Sequence, residues 1–348
     1  MRLTELFRKR PAPPASGPLT DTGLLASDLW IDQPDAHGRI DALARQGEIG
    51  AEMADNLRCF VDRGYLRFSS GLPAGVCDRI QEDVERVWKE KPVDLAWARL
   101  GAMRSFALAD EAVERKPSYR IADFHSHSEA ALEVYLRRTI FDYVERLLGR
   151  PAVATQSLYF EFGSQQGLHR DPVFVQTKPP SHLVAAWIAL EDIGPQCGPL
   201  MYVPGSHRLP YYQFEPGQFL YDHARYGEAE SRAMAEFDRR QAEEHGLPTE
   251  TFTCKRGDVL IWHHSLLHGG TMVEDPASTR HSFVVHYSTR DHYRIRRQKI
   301  VELVPGPDGQ AVERPRILET ERVLERSERG ERDGCHGFDN PLRGYDPD

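Results

Sequence analysis

The apolar positions Val76, Ile80, Val84 and Val87 recur at steps of three and four, which places them on one face of a helix. Leu132, Leu136, Ile140, Val144 and Leu147 keep the same period, so one helix is predicted there, ended by Gly149 and Pro151. After about residue 154 the period shortens. The runs 154–162 (ATQSLYFEF), 182–191 (HLVAAWIALE), 199–205 (PLMYVPG), 258–264 (DVLIWHH) and 281–289 (HSFVVHYST) are rich in β-branched and aromatic residues. Gly, Pro and Asp turns separate them, as strands require. Short strands after a helical preface predict a β-sandwich or barrel braced by helices.

The flanks carry no such pattern. Residues 1–25 are rich in Pro, Ser and Gly and are expected to be disordered, and 305–348 form a polar tail with one short helix near Ile317–Glu325. The domain is therefore expected over 26–304. Within it, 228–245 is charged and helix-prone and ends at Gly246. It belongs to a long connection, 206–250, whose first half holds Tyr211, Tyr212, Phe214, Phe219 and Tyr221. That connection is either a lid or a surface insertion.

Charge and cysteine usage narrow the partners. With 53 acidic against 44 basic residues the formal charge is −9, which argues against a phosphate backbone as partner. The basic cluster Arg294-Ile295-Arg296-Arg297 reads as a solvated strand end. No apolar run is long enough to span a bilayer, and the basic start leads into Pro-rich polar sequence, so neither a membrane span nor a secretory signal is expected. Cys59, Cys77, Cys197, Cys254 and Cys335 form no CxxC pair and read as reduced thiols in a cytoplasm.

The candidate chemistry lies in two segments. In Gly167-Leu168-His169-Arg170-Asp171-Pro172, His169 and Asp171 are two apart, so an extended backbone turns both to one side. Such a triplet is also a common surface ion pair. In Trp262-His263-His264-Ser265-Leu266-Leu267-His268-Gly269-Gly270, His268 would complete two imidazoles and one carboxylate. That facial triad leaves positions open on iron(II) for a bidentate cosubstrate and oxygen. Gly269 and Gly270 would let backbone come close to the ion. The competing arrangement, His264 and His268 as a helical zinc pair, lacks the HExxH glutamate and follows a strand-like run. His263 and His264 are left as scaffold. Twelve residues past His268, Arg280 and Ser282 share a strand face, where a guanidinium can grip a carboxylate bidentately and a hydroxyl can add a bond.

These residues, in this order, resemble the phytanoyl-CoA dioxygenase family of iron(II)/2-oxoglutarate oxygenases over about residues 55–300. The resemblance runs through Asp62-Arg63-Gly64-Tyr65, His169-Arg170-Asp171, Trp187 to Asp192 (WIALED), Gly198 to His207 (GPLMYVPGSH), Lys255-Arg256-Gly257-Asp258, His268-Gly269-Gly270 and Arg280. It implies a mainly β fold with flanking α, a double-stranded β-helix (jelly roll, cupin-like). It further implies iron on His169, Asp171 and His268, and 2-oxoglutarate on Arg280. Trp187, Ser282 and Tyr159 are implied contacts in the same pocket, and His207 a structural residue of a turn. The middle residue of the HxD triplet is often Gln in the family and is Arg170 here, which bears on the substrate environment. Molecular oxygen is the implied second cosubstrate. The implied reaction converts 2-oxoglutarate to succinate and carbon dioxide while hydroxylating an unactivated C–H bond of a small molecule. Desaturation, epimerisation, cyclisation and a noncatalytic ligand-binding barrel are the alternatives. Asp171 argues against a halogenase, whose relatives replace that carboxylate with a small residue.

Overall fold

The computed structural model describes residues 19–92, 95–99, 106–107, 115, 119–175, 177, 179–222, 225–289, 301–305 and 311–315. In chain order, α1 (Ala36–Arg45) and α2 (Ala51–Arg63) lead into β1 (Tyr65–Ser69) and α3 (Val76–Glu90). Strands β2 (Ala96–Arg99), β3 (Phe106–Ala107) and β4 (Tyr119–Ala122) precede α4 (Glu129–Tyr135) and α5 (Arg138–Leu148). Then come β5 (Ala152–Phe160), β6 (Leu183–Ala189), β7 (Leu200–Tyr202), α6 (Glu228–Glu244) and β8 (Glu250–Phe252). The remaining strands are β9 (Asp258–His263), β10 (His268–Gly270), β11 (Ser282–Thr289), β12 (Val301–Pro305) and β13 (Ala311–Pro315).

Two antiparallel sheets face each other in a jelly roll. The larger runs β1-β9-β6-β11-β5-β4-β2-β3 and the smaller β10-β7-β8. Alternation along β6 shows how the sequence builds both faces. Val184, Ala186 and Ile188 join a core with the helices, whereas Ala185, Trp187 and Ala189 join the core between the sheets, with Tyr202 and Phe252 of the small sheet. Both faces are covered, so the run reads as continuously apolar. The α3 stripe Val76, Ile80, Val84 and Val87 is fully buried against the large sheet's outer face. Each such side chain contributes up to roughly 1.5–3 kcal/mol. Among the described residues, no helix is long and apolar enough to cross a membrane.

Three expectations need correction. The helix predicted through Leu132–Leu147 is two, because Arg137 takes an extended ψ of 119°. The Arg137 guanidinium donates to Gly71 O and Thr139 Oγ1 donates to Ser70 O, so tertiary bonds outcompete a continuous helix. Residues 19–25 are ordered: Leu19 bridges Leu25, which is buried beside Tyr211 and Phe219. The supposed tail from 305 begins with a hairpin, β12 paired with β13 from Val301↔Pro315 to Pro305↔Ala311. Residues 1–18, the Arg294–Arg297 cluster, Cys335 and the helix expected at Ile317–Glu325 lie outside the described residues.

Candidate metal centre

The two segments singled out in the sequence meet through backbone. His169 N donates to His268 O at 2.9 Å and His268 N donates to His169 O at 3.1 Å, an antiparallel bridge beside β10. The stretch before Asp171 is not a full strand. Arg170 is extended (φ −120°, ψ 135°), and Asp171 opens a 3-10 turn, Asp171–Val173, with Pro172 at its start. One extended residue suffices to turn His169 and Asp171 to one side and Arg170 to the other. The ligand atoms of His169, Asp171 and His268 then all lie within 4.8 Å of one another, with His268 Nε2 at 3.5 Å from Asp171 Oδ1. The helical zinc pair is excluded, because His264 lies in the turn after β9 and His268 starts a strand.

Hydrogen bonds set the tautomers a metal needs. His169 Nδ1 donates to Gly167 O and His268 Nδ1 donates to Leu266 O, each at 3.0 Å, leaving both Nε2 lone pairs free. Burial, reinforced by the neighbouring His268, pushes the His169 imidazole below its usual range, so it stays neutral. For Asp171, burial opposes ionisation, but the facing imidazoles of His268 and His286 outweigh it and hold the carboxyl well below its ordinary value. Trp262 Nε1 donates to Asp171 Oδ2 at 2.7 Å, which orients the carboxylate. A neutral His169 imidazole and an ionised Asp171 carboxylate are protonation states that bind a divalent cation.

The glycines after His268 act differently from expectation. A Cβ at Gly269 would meet Gln166 O at 2.5 Å and Gly167 O at 2.9 Å, and one at Gly270 would run into Ser164 Oγ. They admit the backbone that carries His169, not the ion.

Arg280 enters the same interior. It is 2% exposed, its N donates to Glu161 O at 2.7 Å, and its guanidinium lies against the rings of Phe160 (5.5 Å) and Trp187 (5.8 Å). One N–H donates to Gly198 O at 3.0 Å, and no carboxylate among the described residues pairs with the charge. Burial pushes its pKa down to about 10. Nε of Arg280, Oγ of Ser282 and Nε1 of Trp187 are buried without a hydrogen-bond partner. Orphaned donors around an uncompensated guanidinium are what a bound dicarboxylate would satisfy.

Tyr159 is a correction. Ser282 pairs with Phe160 in register, so Tyr159 falls opposite Phe283 on the helix-facing side of the sheet. There it packs 5.2 Å from Phe124 and bonds His281 Nδ1, away from Arg280. Phe160 takes the pocket position instead. Two interior residues were missed. Trp262 is one. The other is His286, whose Nε2 lies 3.6 Å from Asp171 Oδ1, and counting by twos from Arg280 through Ser282 would have found it.

A second group, Asp32, His263 and His264, also brings ligand atoms within 4.8 Å. Its hydrogen bonds favour a structural role. Ser265 N donates to His263 Nδ1 at 3.1 Å, so Nε2 carries the proton and gives it to Asp32 Oδ1 at 2.8 Å. That tautomer is the reverse of the one found at His169 and His268. His207 lies beside the group, 5.0 Å from the His263 ring, and donates through Nε2 to Val61 O at 3.2 Å, which accounts for it as scaffold.

The arrangement defines a jelly-roll protein with an interior group of two histidines and one carboxylate able to hold a metal and a buried arginine two residues before β11. The chain belongs to the phytanoyl-CoA dioxygenase (PhyH) family, whose model matches residues 60–281. It is 23% identical over 224 residues to the peroxisomal phytanoyl-CoA dioxygenase of Bos taurus, covering 60% of this chain and 61% of that protein. To the Homo sapiens protein of the same name it is 22% identical over 249 residues, covering 67% and 68%. The match thus spans 61% of the length of the bovine relative. Among solved structures, the non-haem α-ketoglutarate-dependent carbocyclase SnoK from nogalamycin biosynthesis superposes with a TM-score of 0.51. Identity there is 18%, over 73% of this chain and 90% of that one, a likeness of fold.

Proposed function

We propose that this protein is an iron(II)- and 2-oxoglutarate-dependent dioxygenase that hydroxylates an unactivated C–H bond of a small molecule. The observation that carries the reading is Arg280, a buried guanidinium without a carboxylate partner, facing the interior that holds the His169, Asp171 and His268 ligand atoms. Held by His169, Asp171 and His268, iron(II) would supply the oxidative chemistry, with 2-oxoglutarate and molecular oxygen as cosubstrates. In balance, 2-oxoglutarate, oxygen and R–H give succinate, carbon dioxide and R–OH.

The chain's own work is placement. Bonds from Nδ1 of His169 and His268 to backbone carbonyls fix both rings, and Trp262 fixes the carboxylate. Arg280 meets the distal carboxylate of 2-oxoglutarate with a planar fork, and Ser282 adds a donor from the same face. Phe252, Leu200 and Val284 wall the space with apolar surface that keeps water away from it. Phe174, 40% exposed with its ring 6.1 Å from that of His169, offers the substrate an apolar contact.

Free thiols at Cys59, Cys77, Cys197 and Cys254 support a reducing, cytoplasmic setting. The experiment is succinate release from 2-oxoglutarate by purified protein with iron(II) and ascorbate. Succinate formation that vanishes in Asp171→Ala supports the proposal; equal formation in both proteins, or none in either, overturns it.

A further inference from the structure

Arg170 stands between two of the proposed metal ligands, yet its side chain leaves them. Its extended backbone turns the guanidinium to the opposite side, where it is 1% exposed. There it donates to Leu209 O at 3.1 Å and to Pro210 O at 2.9 Å, and it lies 4.5 Å from the ring centroid of Tyr211. Its charge is met by Asp238 of α6, with Arg170 NH2 at 3.1 Å from Asp238 Oδ1, and the carboxylate is equally buried. Direction is imperfect, since neither of these two atoms makes a well-aligned hydrogen bond, so the pair is held by charge. Leu209, Pro210, Tyr211 and Asp238 all belong to the 206–250 connection.

The same connection grips the other arm of the site. Tyr211 Oη bonds Ser265 Oγ at 2.8 Å, in the turn leading to His268. Ser206 Oγ accepts from Leu267 N at 2.9 Å, and Val203 N donates to Leu267 O at 2.9 Å just before the connection begins. Tyr221 N donates to Val173 O at 3.0 Å, behind Asp171. Behind these bonds Tyr211, Phe219, Leu220 and Met234 form a small core of their own with Val173.

We propose that Arg170 and Asp238 form a positioning clamp that makes the 206–250 connection a fixed wall of the metal centre instead of a lid. This rests on the reading of His169, Asp171 and His268 as metal ligands. Swinging the connection away would break this buried charge pair, both Arg170 carbonyl bonds and the Tyr211 contact together, where a surface pair would give up only one weak interaction. Arg170 is a positioning residue: it touches no ligand atom and acts by holding the 169–171 backbone against Leu209 and Pro210.

The test measures Mn(II) affinity, thermal midpoint and hydrogen exchange on the full chain. Arg170→Met and Asp238→Leu each leave one buried charge unpaired and are expected to lower the midpoint. The double variant Arg170→Met/Asp238→Leu removes both charges and is expected to fold with a midpoint near that of the parent. It should still bind Mn(II) at least tenfold more weakly, because the 169–171 segment has lost its anchor. Arg170→Lys, which keeps the charge and loses the fork, should fall between the parent and the Arg170→Met variant. In the parent protein α6 should exchange slowly, with no change on adding Mn(II) and 2-oxoglutarate. A double variant with parental midpoint and parental Mn(II) affinity overturns the clamp and leaves the metal centre standing. A parent that binds no Mn(II) overturns both. Fast exchange in α6 that slows on adding Mn(II) and 2-oxoglutarate restores the lid.

Discussion

His169 and His268, 99 positions apart in the chain, exchange reciprocal backbone hydrogen bonds and hold their imidazole centroids 4.4 Å from each other. The pairing makes the distant histidine as firmly placed as the local His–x–Asp pair, since each ring is then fixed by its own Nδ1 bond.

Ligand loss should be selective. Asp171→Ala and His268→Ala are expected to stay folded and to lower iron(II) or Mn(II) affinity by more than about 100-fold, since residues behind the ligands typically cost about 10–100-fold. His264→Ala should bind metal like the parent. Metal titration followed by tryptophan fluorescence checks all three, and retained binding in His268→Ala with loss in His264→Ala would move the third ligand.

Arg280→Lys keeps a positive charge but removes the fork and the flat contact with Phe160 and Trp187. Losing one charge-assisted bond costs about 1.5–3 kcal/mol, so the KM for 2-oxoglutarate should rise about 10–100-fold with metal affinity unchanged. An unaltered KM would show that another cation anchors the cosubstrate.

Gly269 tests how closely the two ligand segments must approach. A methyl group there would press on the carbonyls of Gln166 and Gly167, which are backbone and cannot swing aside. Gly269→Ala is expected to cost about 1–3 kcal/mol of stability from overpacking. Because the displaced backbone leads into His169, metal affinity should fall as well. Urea unfolding and Mn(II) titration of the same variant report the two effects separately.

Acid should weaken the fold earlier than carboxylate protonation would. Burial, with nearby His263, lowers His207 to about 3, and burial keeps His125 and His264 well below their usual range. Their native forms bind fewer protons than the unfolded chain from about pH 6.5 downward, so stability is full above that value and falls as the pH drops. Each contributes up to about 1.4 kcal/mol per pH unit in that window. The depressed carboxyls of Asp32 and Asp171 act in the same direction, below about pH 4. Urea unfolding at pH 7 and pH 5 should show the loss, and His207→Gln should flatten the slope by about one proton. An unchanged slope would mean that His207 titrates normally.

Much of this architecture is local and was therefore legible in the sequence. The α3 stripe follows from a 3.6-residue period, and the β6, β9 and β11 runs follow from composition between turn residues. An extended Arg170 turns His169 and Asp171 together, and an alternation of two puts Ser282 and His286 on one face of β11. What local pattern leaves open is which face looks inward. Tyr159 and Phe160 are both aromatic, and only the register Ser282↔Phe160 sends Phe160 to the arginine and Tyr159 to the helices. The break at Arg137 likewise depends on carbonyls of Ser70 and Gly71, far back in the chain.

For this protein the sequence alone determined the family and the principal helix and strand runs, because residue type and local period carry them, and it offered His169, Asp171 and His268 as the candidate ligand set. Tertiary structure alone decided the faces of β5, the halving of the α4–α5 stretch and the fate of Arg170. From the sequence Arg170 bears on the substrate environment, and only the fold brings Asp238 to its guanidinium. Burial then makes the pairing obligatory, since a charge removed from water must find its opposite wherever the chain supplies one.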